Sequence, residues 1–348
     1  MKRLPKSVKR LTWGTSMFFF NGLDVCVHSR QSYFNIINCT TDEVTKVNIK
    51  HAYQFIGCNK TNRLIFAQMG VRKVDYSKPH PYNAGKPFVY FYVYDLNSGT
   101  YKRTKAFSRS YPLSERMSTF FENGDDIVTV INSNGDIFTV NINSLEIELI
   151  MSLSELEYDA NKFVYNWYKT GLDTYETATY KRKFWYPIER AKQTDNFMIA
   201  KVDLSKKTLD YRPCSGGPYD NSIYLHDFGI WVHLSVNESD AMSKSAPMHF
   251  EIRMNDEIIY KFEIPCSPFY DGRLFFSDRN IVSFTKDSFV ICFSQAIYLC
   301  NVKDFSLKSI FLDDGMADVF FDKERGHIVP IYFMGATKEM FTLDDFSS

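Results

Sequence analysis

The hydrophobic and polar positions of this chain follow a unit of two β-strands joined by a short polar turn, and this unit recurs along the sequence. Residues 33–37, 91–94 and 137–140 are runs rich in aromatic and β-branched side chains, and each is followed by a turn of Asn, Asp, Ser, Thr or Gly. A second run of β-forming residues comes after each turn. Because strands bury every second residue and such turns connect antiparallel neighbours, the pattern predicts a series of β-hairpins.

The spacing of the hairpins predicts a radial array of sheets. Their turns begin at positions 38, 95, 141, 203, 253, 301 and 342, which lie 41 to 62 residues apart. Repeats of about 40–50 residues with four strands each are typical of propeller blades. Two further strands fit before each hairpin, and no long segment has helical periodicity. We therefore predict an all-β β-propeller, with residues 1–348 forming a single domain of seven four-stranded blades.

The seventh hairpin indicates how such a ring would close. It occupies residues 340–346 and stops where its second strand should begin. Residues 7–13, near the N-terminus, are predicted to supply that outer strand and so to join the first and last blades. Rings of six or eight blades and two stacked β-sandwich domains remain as alternatives. The predicted blades are residues 14–50, 51–108, 109–153, 154–214, 215–265, 266–313 and 314–348, the last completed by residues 7–13.

With this repeat, the chain resembles the seven-bladed β-propellers of the WD40-like class over its whole length. The resemblance is one of architecture, because none of the four tryptophans (Trp13, Trp167, Trp185, Trp231) precedes Asp and no Gly-His pair opens a blade. Kelch repeats match poorly, since Gly216-Gly217 is the single Gly-Gly pair, and the sialidase box is absent. The resemblance implies that function lies on the loops rather than in the framework.

Composition narrows the classes of partner. The 41 basic and 41 acidic residues cancel, so no global field attracts nucleic acid or an anionic membrane. No stretch approaches the roughly 20 apolar residues of a membrane helix, and the seven cysteines form no Cys-x-x-Cys pair. We expect a cytoplasmic protein with no membrane span. The basic residues between Lys2 and Arg10 leave a nuclear import signal open beside a solvated tail.

Three segments lengthen the predicted blades, and two of them carry the candidate binding residues. Residues 71–87 of blade two hold three prolines, which stiffen the backbone around His80 and Tyr82. Residues 170–196 of blade four mix cations and aromatic rings, and the side chains predicted to bind are Arg182, Trp185 and Tyr186. Residues 237–246 of blade five are polar. The segments of blades two and five are predicted to connect the second and third strands. A propeller places such connections on one face, and the blade-four segment is predicted to add to that face.

Other interpretations of these segments stay open. The proline-rich segment could pack against a neighbouring blade instead of binding a partner. In the blade-four segment, the cations at residues 181–183 stand beside aromatic rings, and such interleaving can bind single-stranded nucleic acid. The neutral overall charge argues against nucleic acid. An outward-facing strand would show the same mixture.

The sequence carries no catalytic signature. It has no phosphate-cradling glycine loop, no nucleophile elbow and no His-Glu-x-x-His. His226 and His233, with Asp227 nearby, fall on different predicted strands and are interpreted as ordinary sheet histidines rather than a metal or acid–base pair. We predict no catalytic, metal or cofactor residue. The prediction is a non-enzymatic scaffold that binds a protein or peptide partner through the three segments.

Two further functional hypotheses remain. The first is a propeller enzyme or small-ligand binder that uses the axial channel, where residues from several blades would converge. The second is a structural propeller that serves as one subunit of a larger assembly. The sequence does not indicate the partner or the oligomeric state.

Overall fold

The computed structural model describes most of the chain in segments. The described residues are 4–11, 17–30, 32–49, 54–58, 61–72, 77, 86–107, 119–124, 126–132, 135–158, 167–178, 197–214, 221–235, 247–255, 257–264, 281–293, 296–312, 315–332 and 339–346. The chain divides into two compact units, which we describe separately. One unit comprises Gly14–Ala160, and the other comprises Met1–Trp13 with Asn161–Ser348.

The unit of residues 14–160 contains three four-stranded antiparallel sheets, blades one to three. Their hydrophobic residues pack between neighbouring blades: Phe34 meets Phe66 at 5.3 Å, and Phe91 meets Phe138 at 6.0 Å between ring centroids. A 3-10 turn, Leu153–Leu156, follows the third blade. Blade one consists of β1 (Met17–Phe20), β2 (Val25–Ser29), β3 (Phe34–Asn38) and β4 (Val44–Val47); blade two of β5 (Gln54–Cys58), β6 (Arg63–Arg72), β7 (Lys86–Asp95) and β8 (Thr100–Arg103); blade three of β9 (Thr119–Glu122), β10 (Ile127–Ile131), β11 (Asp136–Asn141) and β12 (Ile147–Ser152).

The second unit contains three more four-stranded sheets and one of two strands. A four-residue helix, Lys6–Lys9, belongs to this unit, and Val8 within it is buried. Blade four consists of β13 (Tyr168–Lys169), β14 (Thr174–Ala178), β15 (Phe197–Asp203) and β16 (Thr208–Cys214); blade five of β17 (Asn221–Leu225), β18 (Ile230–Ser235), β19 (Met248–Met254) and β20 (Glu257–Ile264); blade six of β21 (Ile281–Thr285), β22 (Ser288–Cys292), β23 (Ala296–Asn301) and β24 (Leu307–Phe311); the last sheet of β25 (Met316–Asp322) and β26 (His327–Tyr332).

The structure has six blades, so the prediction of seven is wrong. The last sheet has two strands, and Phe341 joins it by a single bridge to Ile328. Beyond Phe341 the chain forms a 3-10 turn, Leu343–Asp345, closed by reciprocal hydrogen bonds between Thr342 and Asp345. This cap bends the backbone where a third strand would continue. The predicted closing strand is also not seen in the described residues, because Lys6–Lys9 is helical and residues 12–16 lie outside them.

The recurring turn has one physical basis. In five hairpins the first turn residue is Asn or Asp, and its side-chain oxygen accepts backbone N–H groups two or three residues later. These Asx turns let a short polar side chain satisfy the turn backbone. The residue four positions after the Asn or Asp then adopts positive φ, as at Gly99 (+70°) and Leu145 (+64°). The five residues are Asn38, Asp95, Asn141, Asp203 and Asn301.

Candidate functional site

Three of the six blades have a long connection, and in each of them it leaves the sheet at the end of the second strand. The turns between first and second strands, and between third and fourth strands, have two to five residues in every blade. Connections between second and third strands differ: they have three or four residues in blades one, three and six. In blade two the connection is residues 73–85, in blade four 179–196 and in blade five 236–247. As predicted, the inserted segments of blades two and five join the second and third strands, and the structure shows that the segment of blade four does the same.

The residues predicted to bind a partner lie in these connections. His80 and Tyr82 belong to the connection of blade two, and Arg182, Trp185 and Tyr186 to that of blade four; all five lie outside the described residues. Residues 237–246 of blade five also lie outside them. What the structure does describe is the pair of strands from which each connection starts and ends. In blades four and five, these strands and their neighbours carry a set of ionisable side chains, of which sequence analysis discussed only His233.

Blade four contributes a buried carboxylate with two cations. Glu176, on β14, is 4% exposed and accepts a hydrogen bond from the Arg212 guanidinium at 3.0 Å. The ammonium of Lys201 lies 3.9 Å from its other oxygen. Glu176 pairs with Lys201 across the β14–β15 ladder, and Arg212 follows on β16. Because all three side chains project from the same side of the sheet, they form one charged group.

Blade five contributes a buried histidine and a buried arginine. His233, on β18, is fully buried, and its Nδ1 lies 2.7 Å from the hydroxyl of Ser222. Arg253, on β19, is 1% exposed and donates to Glu251 at 3.3 Å. Glu251 also pairs with Lys261 of β20 at 2.7 Å. Buried charge is costly unless it is paired, so Glu251 and Arg253 stabilise each other within the sheet.

An aromatic cluster joins the two sheets. Trp231 lies 5.6 Å from the Tyr168 ring of blade four and 5.4 Å from Tyr224 of its own blade. The indole also stacks parallel to His233 at 5.8 Å, and the Tyr168 hydroxyl donates to the carbonyl of Ser222 at 3.5 Å. We call the whole set the polar layer: Tyr168, Glu176, Lys201 and Arg212 of blade four, and Ser222, Tyr224, Trp231, His233, Glu251, Arg253 and Lys261 of blade five.

Burial shifts the pKa values of two side chains of the polar layer. Burial lowers the pKa of His233 well below its ordinary value, and the nearby Arg253 lowers it further, so the imidazole stays neutral. Burial also raises the pKa of Tyr224, with the Glu176 carboxylate adding to the effect. His233 is fully buried and lies within hydrogen-bond distance of Ser222, and Glu176 is paired with the two cations of Arg212 and Lys201.

Other groups that could carry chemistry are dispersed. His226 is exposed in the turn between β17 and β18, whereas His233 is fully buried on β18. Within the described segments, no group of three or more His, Cys, Asp and Glu side chains could hold a metal ion. In the same segments, no helix has the length and apolar character needed to cross a membrane.

Comparisons with known proteins identify the fold and no family. No protein-family model matches the chain, and no curated protein matches it. Among solved structures, the β-propeller domain of Myceliophteria thermophila Cps50 (Swd1) aligns with a TM-score of 0.53 at 10% identity, over 96% of this chain and 98% of that one. Kuenenia stuttgartiensis hydrazine synthase aligns with a TM-score of 0.55 at 8% identity, over 94% and 95%.

A third neighbour is the tricorn protease, with a TM-score of 0.51 at 10% identity, over 99% of this chain and 34% of that one. At such identities the likeness shows the fold alone. It confirms the predicted β-propeller with WD40-like structural neighbours. The neighbours include enzymes as well as a propeller domain, so fold does not decide function here.

Proposed function

We propose that this protein is a non-enzymatic propeller that binds a protein or peptide partner through the connections of blades two, four and five. The observation that carries the proposal is the uneven length of otherwise equivalent connections. Blades one, three and six join their second and third strands with three or four residues, whereas blades two, four and five use 12 to 18. A sheet needs only a few residues to reverse its chain, so the additional length serves a purpose other than folding the blade.

The chemistry of the connections favours a protein partner. Trp, Tyr and Arg are the side chains that dominate binding energy at protein interfaces, and residues 182–186 supply all three. His80 and Tyr82 stand between prolines, which lower the entropy lost when the segment is ordered by a partner. We assign the principal binding roles to Tyr82, Trp185, Arg182, Tyr186 and His80.

The polar layer supports this assignment in blades four and five. β14 ends at Ala178, two residues after Glu176, and β18 ends at Ser235, two residues after His233. The ionised and hydrogen-bonded groups of the layer therefore fix the strands from which both connections start. A connection that starts from a rigid strand loses less entropy when it binds a partner. Glu176, Arg212, Lys201, Glu251, Arg253 and Lys261 of the layer are paired with one another, which leaves partner recognition to the connections.

The test compares the full chain with the variant Tyr82→Ala/Trp185→Ala as affinity baits in a native lysate. Proteins captured by the wild type and lost by the variant are then purified and titrated against both baits. We expect the double variant to weaken binding at least tenfold while its thermal midpoint stays within a few degrees of the wild type. Hot-spot aromatic residues commonly contribute 2 kcal/mol or more, which exceeds one factor of ten.

The matched control is Phe311→Ala, which removes an aromatic ring that is 70% exposed at the end of an outer strand. It should bind as the wild type does. Equal capture by wild type and by Tyr82→Ala/Trp185→Ala would show that the connections are not the binding surface. A large drop in the thermal midpoint of the double variant would show that the two rings belong to the core.

A further inference from the structure

The outer edge of blade two differs from the other outer edges in charge. β8 is the fourth strand of its sheet and pairs with β7 alone among the described strands. All four of its residues are exposed. It carries Lys102 and Arg103, with Lys105 two residues further on, and no acid. Among the outer strands of the six described blades, no other has two cations without a carboxylate.

These three cations are not neutralised by the described residues. No ion pair joins Lys102, Arg103 or Lys105 to a carboxylate in the described segments, whereas Lys201, Arg212 and Lys261 of the outer half of blades four and five each have one. Asp95, at the base of the hairpin, uses its carboxylate to accept the N–H groups of Asn97 and Ser98. The strand therefore presents a positive stripe to solvent.

Tyrosines hold one of these cations in place. The Arg103 guanidinium lies over the Tyr90 ring, 4.4 Å from its centroid, in cation–π contact. Interaction with the Tyr92 hydroxyl raises the pKa of Arg103, and that hydroxyl donates to Gln68 at 2.8 Å. Tyr101, 50% exposed, lies 5.9 Å from the Tyr92 ring. The guanidinium is thus oriented before any ligand arrives.

The backbone of β8 is also available for pairing. Thr104 donates its N–H to the carbonyl of Phe91 on β7. Because N–H and C=O groups alternate in direction along an antiparallel strand, those of Lys102 point to β7 as well. The peptide groups of Tyr101 and Arg103 then point to the open edge. An extended peptide could form hydrogen bonds with them and continue the sheet.

We propose that the β8 edge, formed by Tyr101, Lys102, Arg103 and Lys105, is a second docking site that binds an extended peptide rich in Asp and Glu. Main-chain pairing with Tyr101 and Arg103 gives the peptide its register. Its carboxylates pair with the guanidinium of Arg103 and the two ammonium groups. Nucleic acid could pair its phosphates with the cations and stack its bases on the rings. It would leave the outward N–H and C=O groups of Tyr101 and Arg103 without the hydrogen-bond partners that a neighbouring strand supplies, so we favour a peptide.

The test measures fluorescence anisotropy with the full chain and four labelled probes. The first is a ten-residue peptide in which Glu-Glu pairs alternate with Thr-Val pairs, so that carboxylates project from both faces of the strand, as Lys102 and Arg103 do. The second has Lys in place of Glu, the third keeps the acidic residues but has Pro in place of each Thr, and the fourth is a single-stranded oligonucleotide of ten uridines. We expect the first to bind, and each of the others to bind at least tenfold more weakly or not at all.

Three variants locate the site. Lys102→Glu/Lys105→Glu should weaken the first peptide at least tenfold, because repulsion replaces attraction at two exposed positions. Tyr101→Pro keeps every charge but removes one outward N–H, and it should weaken binding by a similar factor. Lys308→Glu, an exposed cation on β24, is the matched control and should change affinity less than twofold. Tyr82→Ala/Trp185→Ala should leave this binding unchanged, which separates the two sites.

Several outcomes would overturn the proposal. The proposal would be wrong if the acidic peptide did not bind at protein concentrations up to about 1 mM. A Kd of that size corresponds to a binding free energy of roughly −4 kcal/mol. Equal affinity for the proline-containing peptide would show attraction by charge without strand pairing. Equal or tighter binding of the oligonucleotide would show a nucleic-acid surface. If Tyr101→Pro unfolds, the proline-containing peptide still decides whether strand pairing occurs.

Discussion

The two faces of blade five pack against their neighbours in opposite ways. Along β18, Ile230, Val232 and Leu234 point towards blade six, and Trp231 and His233 between them point towards blade four. The face towards blade six is a continuous apolar cluster that includes Phe250 and Ile252. Towards blade four, the polar layer contains ionised and hydrogen-bonded groups. One strand therefore supplies both kinds of interface through simple alternation.

This difference separates two contributions to the structure. Apolar burial stabilises blades five and six without requiring a defined orientation of the side chains, because the hydrophobic effect is proportional to the apolar area removed from water. Paired charges contribute less net free energy but require defined distances and angles. We infer that the apolar face mainly supplies stability, while the polar layer fixes the positions of β14 and β18. The connections proposed to bind a partner leave from these two strands.

The largest expected effect comes from the apolar face. Phe250 is 1% exposed, stacks on Phe262 at 4.9 Å and meets Phe293 of blade six edge-on at 6.4 Å. Phe250→Ala removes these contacts and leaves a cavity, so we expect the free energy of unfolding to fall by about 3–5 kcal/mol. Urea unfolding followed by circular dichroism measures the change. A loss below about 1 kcal/mol would contradict an apolar interface as the main source of stability.

The polar layer should give a smaller effect of a different kind. Glu176→Gln keeps the shape of the side chain but removes the charge that balances Arg212 and Lys201. We expect a loss of about 1–2 kcal/mol, discounted because the Arg212 and Lys201 side chains are 36% and 42% exposed. The same urea titration measures it.

A double-mutant cycle tests whether the layer acts as a unit. Arg212→Gln is combined with Glu176→Gln, and the coupling free energy is compared with that of Glu176→Gln and Phe311→Ala. The first pair should couple by about 0.5 kcal/mol or more, and the second should be additive. Additive behaviour in both pairs would mean that Glu176 and Arg212 do not stabilise each other in solution.

The sequence predicted the strands well because the signal for each is local. Alternation along residues 230–234 and Asx turns at residues such as Asn38 and Asp95 depend on neighbours within a few positions. The blade count depends instead on the last sheet, where Phe341 forms one bridge and a capped 3-10 turn ends the pairing. Thr342 and Asp345 fit the Ser/Thr-x-x-Asp/Glu pattern of a capped turn, but Thr and Asp are also common in hairpin turns, so this signal alone does not decide between the two. The same limit applies to the N-terminus, where a four-residue helix replaces the predicted strand.

The polar layer was missed for a related reason. Glu176, Arg212, His233 and Arg253 are separated by up to 77 positions in the sequence, and the ladders and the packing of two sheets bring them together. One signal was available, since Trp231 and His233 alternate with three aliphatic residues on a single strand. That pattern indicates a face that is buried yet polar. The role of the three connections stays a prediction, because their binding residues lie outside the described segments.

A further comparison uses pH to separate the two faces. Burial lowers the pKa of His28, in blade one, to about 4, with Arg30 adding to the effect, and burial lowers the pKa of His233 well below 6.5. In the unfolded chain both histidines titrate near 6.5, so the unfolded state binds protons first as the pH falls. The stability that each contributes is present above pH 6.5 and is lost below it.

Replacing His233 should therefore flatten the pH dependence of stability. Between pH 7.5 and 5.5 we expect each buried neutral histidine to cost the wild type about 1.3 kcal/mol. His233→Asn keeps a polar group near Ser222 but does not titrate, so its loss over this range should be smaller by about that amount. Phe250→Ala, on the apolar face, should lower stability equally at both pH values. A wild-type slope retained in His233→Asn would show that His233 takes up a proton in the folded protein over this pH range, and the polar layer would then have to accommodate another cation beside Arg253.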